Sequence, residues 1–128
     1  VGIAVPAGQK LTVMVGDVVR VLLQAEYRGP ALAGEIHVSY GRQDTWFNED
    51  GNKQNDIPAD FPESFDWILC GFACDILIGG PPGANYDLYA KIMGVPGPDI
   101  ESPIYLNVLD VRGAPEFQNF EITEYFKV

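Results

Sequence analysis

Apolar and polar residues alternate with period two along most of the chain, which picks out strands rather than helices. The segment that organises the rest is 85–92. There Tyr86, Leu88, Ala90 and Ile92 fall on one side, and Asp87, Tyr89 and Lys91 on the other. Successive side chains of a strand point to opposite faces, so this segment is expected to have a core face and a wet face. Gly79-Gly80-Pro81-Pro82-Gly83 precedes it and Gly94-Val95-Pro96-Gly97-Pro98 follows it. Neither run can continue a ladder, so both are turns.

The same alternation predicts further strands. Over 10–15, Leu11, Val13 and Val15 oppose Lys10, Thr12 and Met14. Over 18–27, Val19, Val21, Leu23, Ala25 and Tyr27 face in, while Arg20, Gln24 and Glu26 face out. A following run puts Ile36, Val38 and Tyr40 inward and Glu35, His37 and Ser39 outward. Segment 103–111 is apolar on both faces, as suits a central strand. Over 117–128, Phe120, Ile122, Phe126 and Val128 alternate with Glu121, Thr123, Tyr125 and Lys127. This last strand is expected to close the sheet at home, the other reading being addition to the edge of a neighbouring copy.

Two regions read differently. Segment 41–62 is irregular, and its polar stretch 48–56 forms either a hairpin around Asp50-Gly51 or a mobile loop. In 64–78, Phe65, Ile68, Leu69, Phe72, Ala73 and Ile76 fit helical spacing. Gly71 and the ending Ile76-Leu77-Ile78-Gly79 oppose a helix. The expectation is two short strands or one bent strand bulged at Gly71, with a short helical turn near 64–73 as the alternative.

Gly 14 and Pro 10, clustered between the apolar runs, are the punctuation of many short strands. A chain of 128 residues, 47% hydrophobic, suits one domain over 1–128. The fold class is therefore all-β: an antiparallel two-sheet sandwich of seven to nine strands, in which stacking hides one apolar face of each sheet.

Net charge is -10, which repels a phosphate backbone and disfavours anionic membranes. No apolar run is long enough to cross a bilayer as a helix. Neither nucleic-acid binding nor membrane insertion is expected. The chain opens on Val1 without a signal-peptide pattern, and reads as a processed or excised piece.

The acids concentrate between Asp44 and Asp75, where Lys53 is the one opposing base. That stretch reads as a solvated face, or as an attractor of divalent cations or a basic partner. Asn48, Asp50, Asn52 and Asp56 could supply several of the oxygens that Ca²⁺ requires. An EF-hand register puts Trp46 at its first position, which excludes that motif. No other cofactor is expected. Tyr40, Trp46, Phe47 and Trp67 flank the acidic stretch, and exposed rings beside carboxylates would make a sugar platform or a protein hot spot; the other reading is core.

Catalytic constellations are sparse, so an enzyme is not expected. His37 is the single histidine, and nothing local joins it to Cys70 or Cys74. Four residues of continuous strand would separate the two cysteines by roughly 13 Å. A disulfide needs about 7 Å or less, and so a sharp turn at Gly71-Phe72; free thiols are expected. The glycine-rich run 79–83 lacks the Lys-Ser/Thr of a phosphate loop, and its two prolines remove amide donors.

The run Gly16-Asp17-Val18-Val19-Arg20-Val21, followed by Gly34-Glu35-Ile36-His37-Val38-Ser39-Tyr40, resembles the early strands of immunoglobulin-like modules of bacterial and viral surfaces. Tyr86, just after a corner, resembles the opening of their penultimate strand. Cys70 and Cys74 are not placed like the inter-sheet disulfide of antibody domains. The resemblance implies a non-catalytic structural, adhesive or protein-interaction module of an extracellular or virion assembly, with a protein partner or self-association. The rival expectation is a carbohydrate- or calcium-binding accessory domain using the acidic, aromatic-flanked loop 43–61.

Overall fold

Strong β-formers that place an apolar residue inward at every second position build the longest pairing among the described residues. In a computed structural model that describes residues 5–43, 47–49 and 55–128 (of Gln43, Phe47–Glu49 and Asn55 the backbone alone), nine strands form and no helix. They are β1 (Leu11–Met14), β2 (Val18–Gly29), β3 (Leu32–Gln43), β4 (Phe47–Glu49), β5 (Asn55–Phe61), β6 (Ser64–Leu77), β7 (Gly83–Met93), β8 (Ile100–Glu101) and β9 (Tyr105–Arg112). β2 and β6 pair antiparallel as a separate two-stranded ribbon, from Val18 opposite Leu77 to Tyr27 opposite Ile68.

The other seven strands form one sheet in the order β1-β9-β7-β3-β4. β5 shares the edge of β3 with β4, and β8 pairs with β7. All pairings are antiparallel except β1 with β9, which is parallel, so the sheet is mixed where a purely antiparallel one is expected. The core lies between this sheet and the ribbon. Ile36, Val38 and Tyr40 from β3, Tyr86 and Ala90 from β7, and Leu109 and Val111 from β9 meet Cys74 and Ile76 of β6. Phe61 of β5 joins the layers, its ring 4.9 Å from Tyr27 and 5.5 Å from Phe72. The arrangement is sandwich-like.

At one pole the layers are tied by backbone. Gly16, at φ 97°, turns β1 into β2 in a conformation that glycine adopts without a Cβ penalty. Its amide donates to Ile78 O at 2.7 Å, and Val15 N donates to Arg112 O at 2.9 Å. The start of β2 and the ends of β6 and β9 therefore meet at that pole.

Several expectations change. β6 is one continuous 14-residue strand, without a helical turn over 64–73 and without a bulge at Gly71, which sits opposite Gln24. The unbroken ladder to β2 outweighs the helical spacing, and the one register shift falls between Tyr27 and Gly29 instead. β5 lies where a loop is expected; Pro58, which cannot donate to a ladder, is accommodated because β5 is an edge strand. Asp87 is buried, not wet: its Oδ1 accepts from the amide of Asn107 at 2.8 Å. Asn107 is at φ 57°, beside the register shift between β7 and β9 that Asp87 helps hold.

Segment 117–128 is the largest departure. It is neither strand nor packed against the core, and Phe120 is 98% exposed. The expectation that it closes the sheet at home is not met.

Candidate interaction surface

The candidate ligand residues do not gather into one site. Tyr40 is completely buried and structural: its phenol oxygen accepts from the Gly80 amide at 2.9 Å, and its ring meets Tyr86 edge-on at 5.4 Å. Trp67 is exposed on the outward face of β6, with the Arg28 guanidinium 4.6 Å from its ring centre. Phe47 lies in β4, and Trp46 lies outside the described residues. Tyr40 and Trp67 thus belong to different layers.

The candidate calcium ligands divide in the same way. Asp50 and Asn52, and with them the Asp50-Gly51 turn, lie outside the described residues. Asn48 is in β4, its backbone opposite Arg42. Asp56 sits in β5 opposite His37, and its Oδ1 lies 2.5 Å from His37 Nδ1. Among the described residues no group of three or more His, Cys, Asp or Glu could hold a metal ion. An open groove of about 550 Å³ runs past Glu35, Asp56 and Asp60 at this end of β3 and β5.

His37 and the cysteines are also kept apart. His37 points to the outer side of β3, away from the core, whereas Cys74 is fully buried within it. Burial pushes the Cys74 thiol above its ordinary pKa, with the charges of Asp75 and Asp56 acting in the same direction. No disulfide joins Cys70 to Cys74, as the continuous strand between them requires.

The feature that stands out is the β2–β6 ribbon. Inward, Val21, Leu23, Phe72 and Cys74 alternate toward the core, as the alternation of 18–27 predicts. Outward, the ribbon is not the polar face expected of a solvated sheet. Leu22 is 73% exposed, and Phe65, Trp67 and Leu69 of β6 are all exposed too, with Val18 and Leu77 at the far end. Leu22 lies opposite Ala73 and Val18 opposite Leu77, so these two pairs are apolar across the ribbon, whereas Leu69 lies opposite Glu26.

Two charged features lie on this face, the first of them between Leu22 and Val18. Arg20 lies directly opposite Asp75 and donates to it twice, at 2.8 and 3.1 Å. That hydrogen-bonded guanidinium holds the Asp75 carboxyl below the usual carboxylate range. Arg28 covers Trp67 at the other end.

The ribbon is also open at its side. Among the described residues no strand pairs with the second edge of β2. Val19, Val21, Leu23, Ala25 and Tyr27 face the core yet remain only partly buried. Sequence reasoning missed the outward patch because Arg20, Gln24 and Glu26 dominate that face of β2. Its signal is the period-two set Phe65, Trp67 and Leu69, masked by helical spacing in the same segment.

No protein-family model, curated protein or solved structure matches this chain.

Proposed function

We propose that the chain is a non-catalytic, immunoglobulin-like protein-interaction module that assembles through the β2–β6 ribbon. The observation that carries this reading is the outward apolar face of the ribbon, where Leu22, Trp67, Leu69 and Phe65 are each more than half exposed. Phe65, Trp67 and Leu69 are consecutive on one side of β6, and such a contiguous exposed apolar row is costly in water and marks interaction sites.

The immunoglobulin-like part of the reading draws support from topology. β2 and β6 form one layer, and β9, β7 and β3 run side by side in the other, with β4 and β5 beyond. These match strands B and E opposite G, F and C of a variable-type sandwich. Tyr86 adds a tyrosine-corner feature, its phenol donating to Pro81 O five residues upstream at 2.7 Å.

The test is solution mass by light scattering across a concentration series, with and without millimolar Ca²⁺, for the native chain and Leu69→Asp. The native mass is expected to rise above that of one 14.0 kDa chain irrespective of calcium, and L69D to stay monomeric. A native chain that is monomeric throughout, or that assembles only with Ca²⁺, overturns the reading.

A further inference from the structure

We propose that segment 120–128 of one copy adds as a strand to the free edge of β2 in a second copy. This inference rests on the assembly reading above and adds a second contact to it, at the edge of β2 rather than on the ribbon's outward face. The donor has the period-two pattern of a strand but pairs with no sheet. Phe120, Ile122, Phe126 and Val128 share one side and are between 77% and 108% exposed, so at home they cover nothing. Asn119, at φ 56°, makes a corner between this stretch and the chain leaving β9. Asparagine tolerates that left-handed conformation better than other non-glycine residues, and the corner separates linker from strand.

The acceptor is the complement of the donor. β2 presents an edge of alternate N–H and C=O groups with no partner among the described residues. Its inward row, Val19, Val21, Leu23, Ala25 and Tyr27, is only partly buried. Nine residues of strand span roughly 30 Å, which matches β2 from Val19 to Tyr27. The donor's apolar side would continue that row, and its main chain would continue the ladder, the mode of recognition known as strand addition. Two Phe rings alone bring roughly 300–500 Å² to the interface, a large share of the about 800 Å² per partner of a standard interface.

Donor and acceptor are different surfaces, so the contact is head-to-tail, and a pair of copies retains one free donor and one free acceptor, at opposite ends. Such contacts build rings or filaments. Glu124 is the one charged residue on the inserted side, between Ile122 and Phe126. Desolvating its carboxylate opposes insertion.

The experiment compares the native chain with a chain ending at Gly113, with I122D and with E124L, in the same scattering series. A synthetic peptide of residues 114–128 is added to the shortened chain, and amide exchange is followed over 19–27. No residue beyond Gly113 belongs to the buried core, so the shortened chain keeps its β-sheet circular dichroism. Expected are a monomeric shortened chain, saturable one-to-one peptide binding that protects 19–27, and assembly weakened tenfold or more in I122D. E124L is expected to assemble at lower concentration than the native chain.

A shortened chain that assembles like the native one overturns the strand addition and leaves the ribbon-face reading standing. A monomeric native chain whose 19–27 amides are protected, and lose that protection on shortening, places the strand on its own sheet and also overturns it. A monomeric native chain with no peptide binding removes both readings.

Discussion

Tyr86 fixes a turn that contains no regular structure of its own. Its phenol donates to Pro81 O, the Tyr40 phenol receives Gly80 N, and Arg42 stacks over the Tyr86 ring at 4.3 Å. Gly83 sits where these groups converge: a Cβ there would lie 2.9 Å from the Arg42 guanidinium and 3.1 Å from the phenol oxygen, so a larger residue would displace the end of the Arg42 side chain. Tyr86→Phe keeps the ring and removes the donor, leaving a part-buried carbonyl unsatisfied. It is expected to lower stability by about 1–3 kcal/mol, read from the midpoint of urea unfolding. The cysteines give a second expectation at this scale. Cys74 is buried with its thiol pKa raised, while Cys70 is partly exposed. Iodoacetamide at neutral pH should modify Cys70 first and reach Cys74 only on unfolding, which mass spectrometry of the digested protein reads directly. Tyr86 was legible as an inward residue from the period of its segment. Tyr40 was legible as core from the same rule, and its place beside the acidic stretch is what suggested a binding ring instead.

Strands were legible where one face is apolar and the other polar. β2, β3 and β7 follow the alternation closely, apart from Leu22, apolar on the outward row, Ser39, expected outward but fully buried, and Asp87, whose burial depends on a hydrogen bond to Asn107 on another strand. β6 was ambiguous because both of its faces are apolar, so period two and period 3.6 fit equally. A partner strand decides such a segment, and the register of β6 against β2 cannot be read locally. β5 was hidden by Pro58 and its acids, and is held by pairing with β3. The ribbon's packing predicts an asymmetry between its faces. Ile76→Ala, deep in the core, is expected to cost about 2–5 kcal/mol, whereas Leu22→Ala on the outward face should stay within about 0.5 kcal/mol, both by denaturant unfolding. The ribbon also has an acid limb. Asp75 is held below its ordinary pKa by Arg20, and Asp110 by the amide of Asn85. A carboxyl whose folded pKa is depressed adds stability above its unfolded pKa, and that contribution is lost as pH falls through the folded value. Stability should therefore decline as pH drops below about 4, and Asp75→Asn should flatten that limb in thermal scans across pH.

At the scale of the whole molecule, two features oppose one another. The open ribbon and the exposed 120–128 segment draw copies together, while a net charge of -10 drives them apart. Exposed like charges separated by more than a Debye length are screened by salt, and that length shrinks from about 30 Å at 0.01 M to about 8 Å at 0.15 M. An apolar strand addition is little affected by the same salt, because its attraction comes from buried side chains and a main-chain ladder. Assembly should therefore strengthen as salt rises from about 0.01 to 0.15 M, and again as pH is lowered toward the sequence pI of about 4.2, down to where the acid limb begins to unfold the ribbon. Sedimentation velocity at fixed protein concentration reads both trends. A complex that dissociates as salt is added would be held by ion pairs between copies, and the contact would then have to be sought among the charged residues rather than on the apolar ribbon.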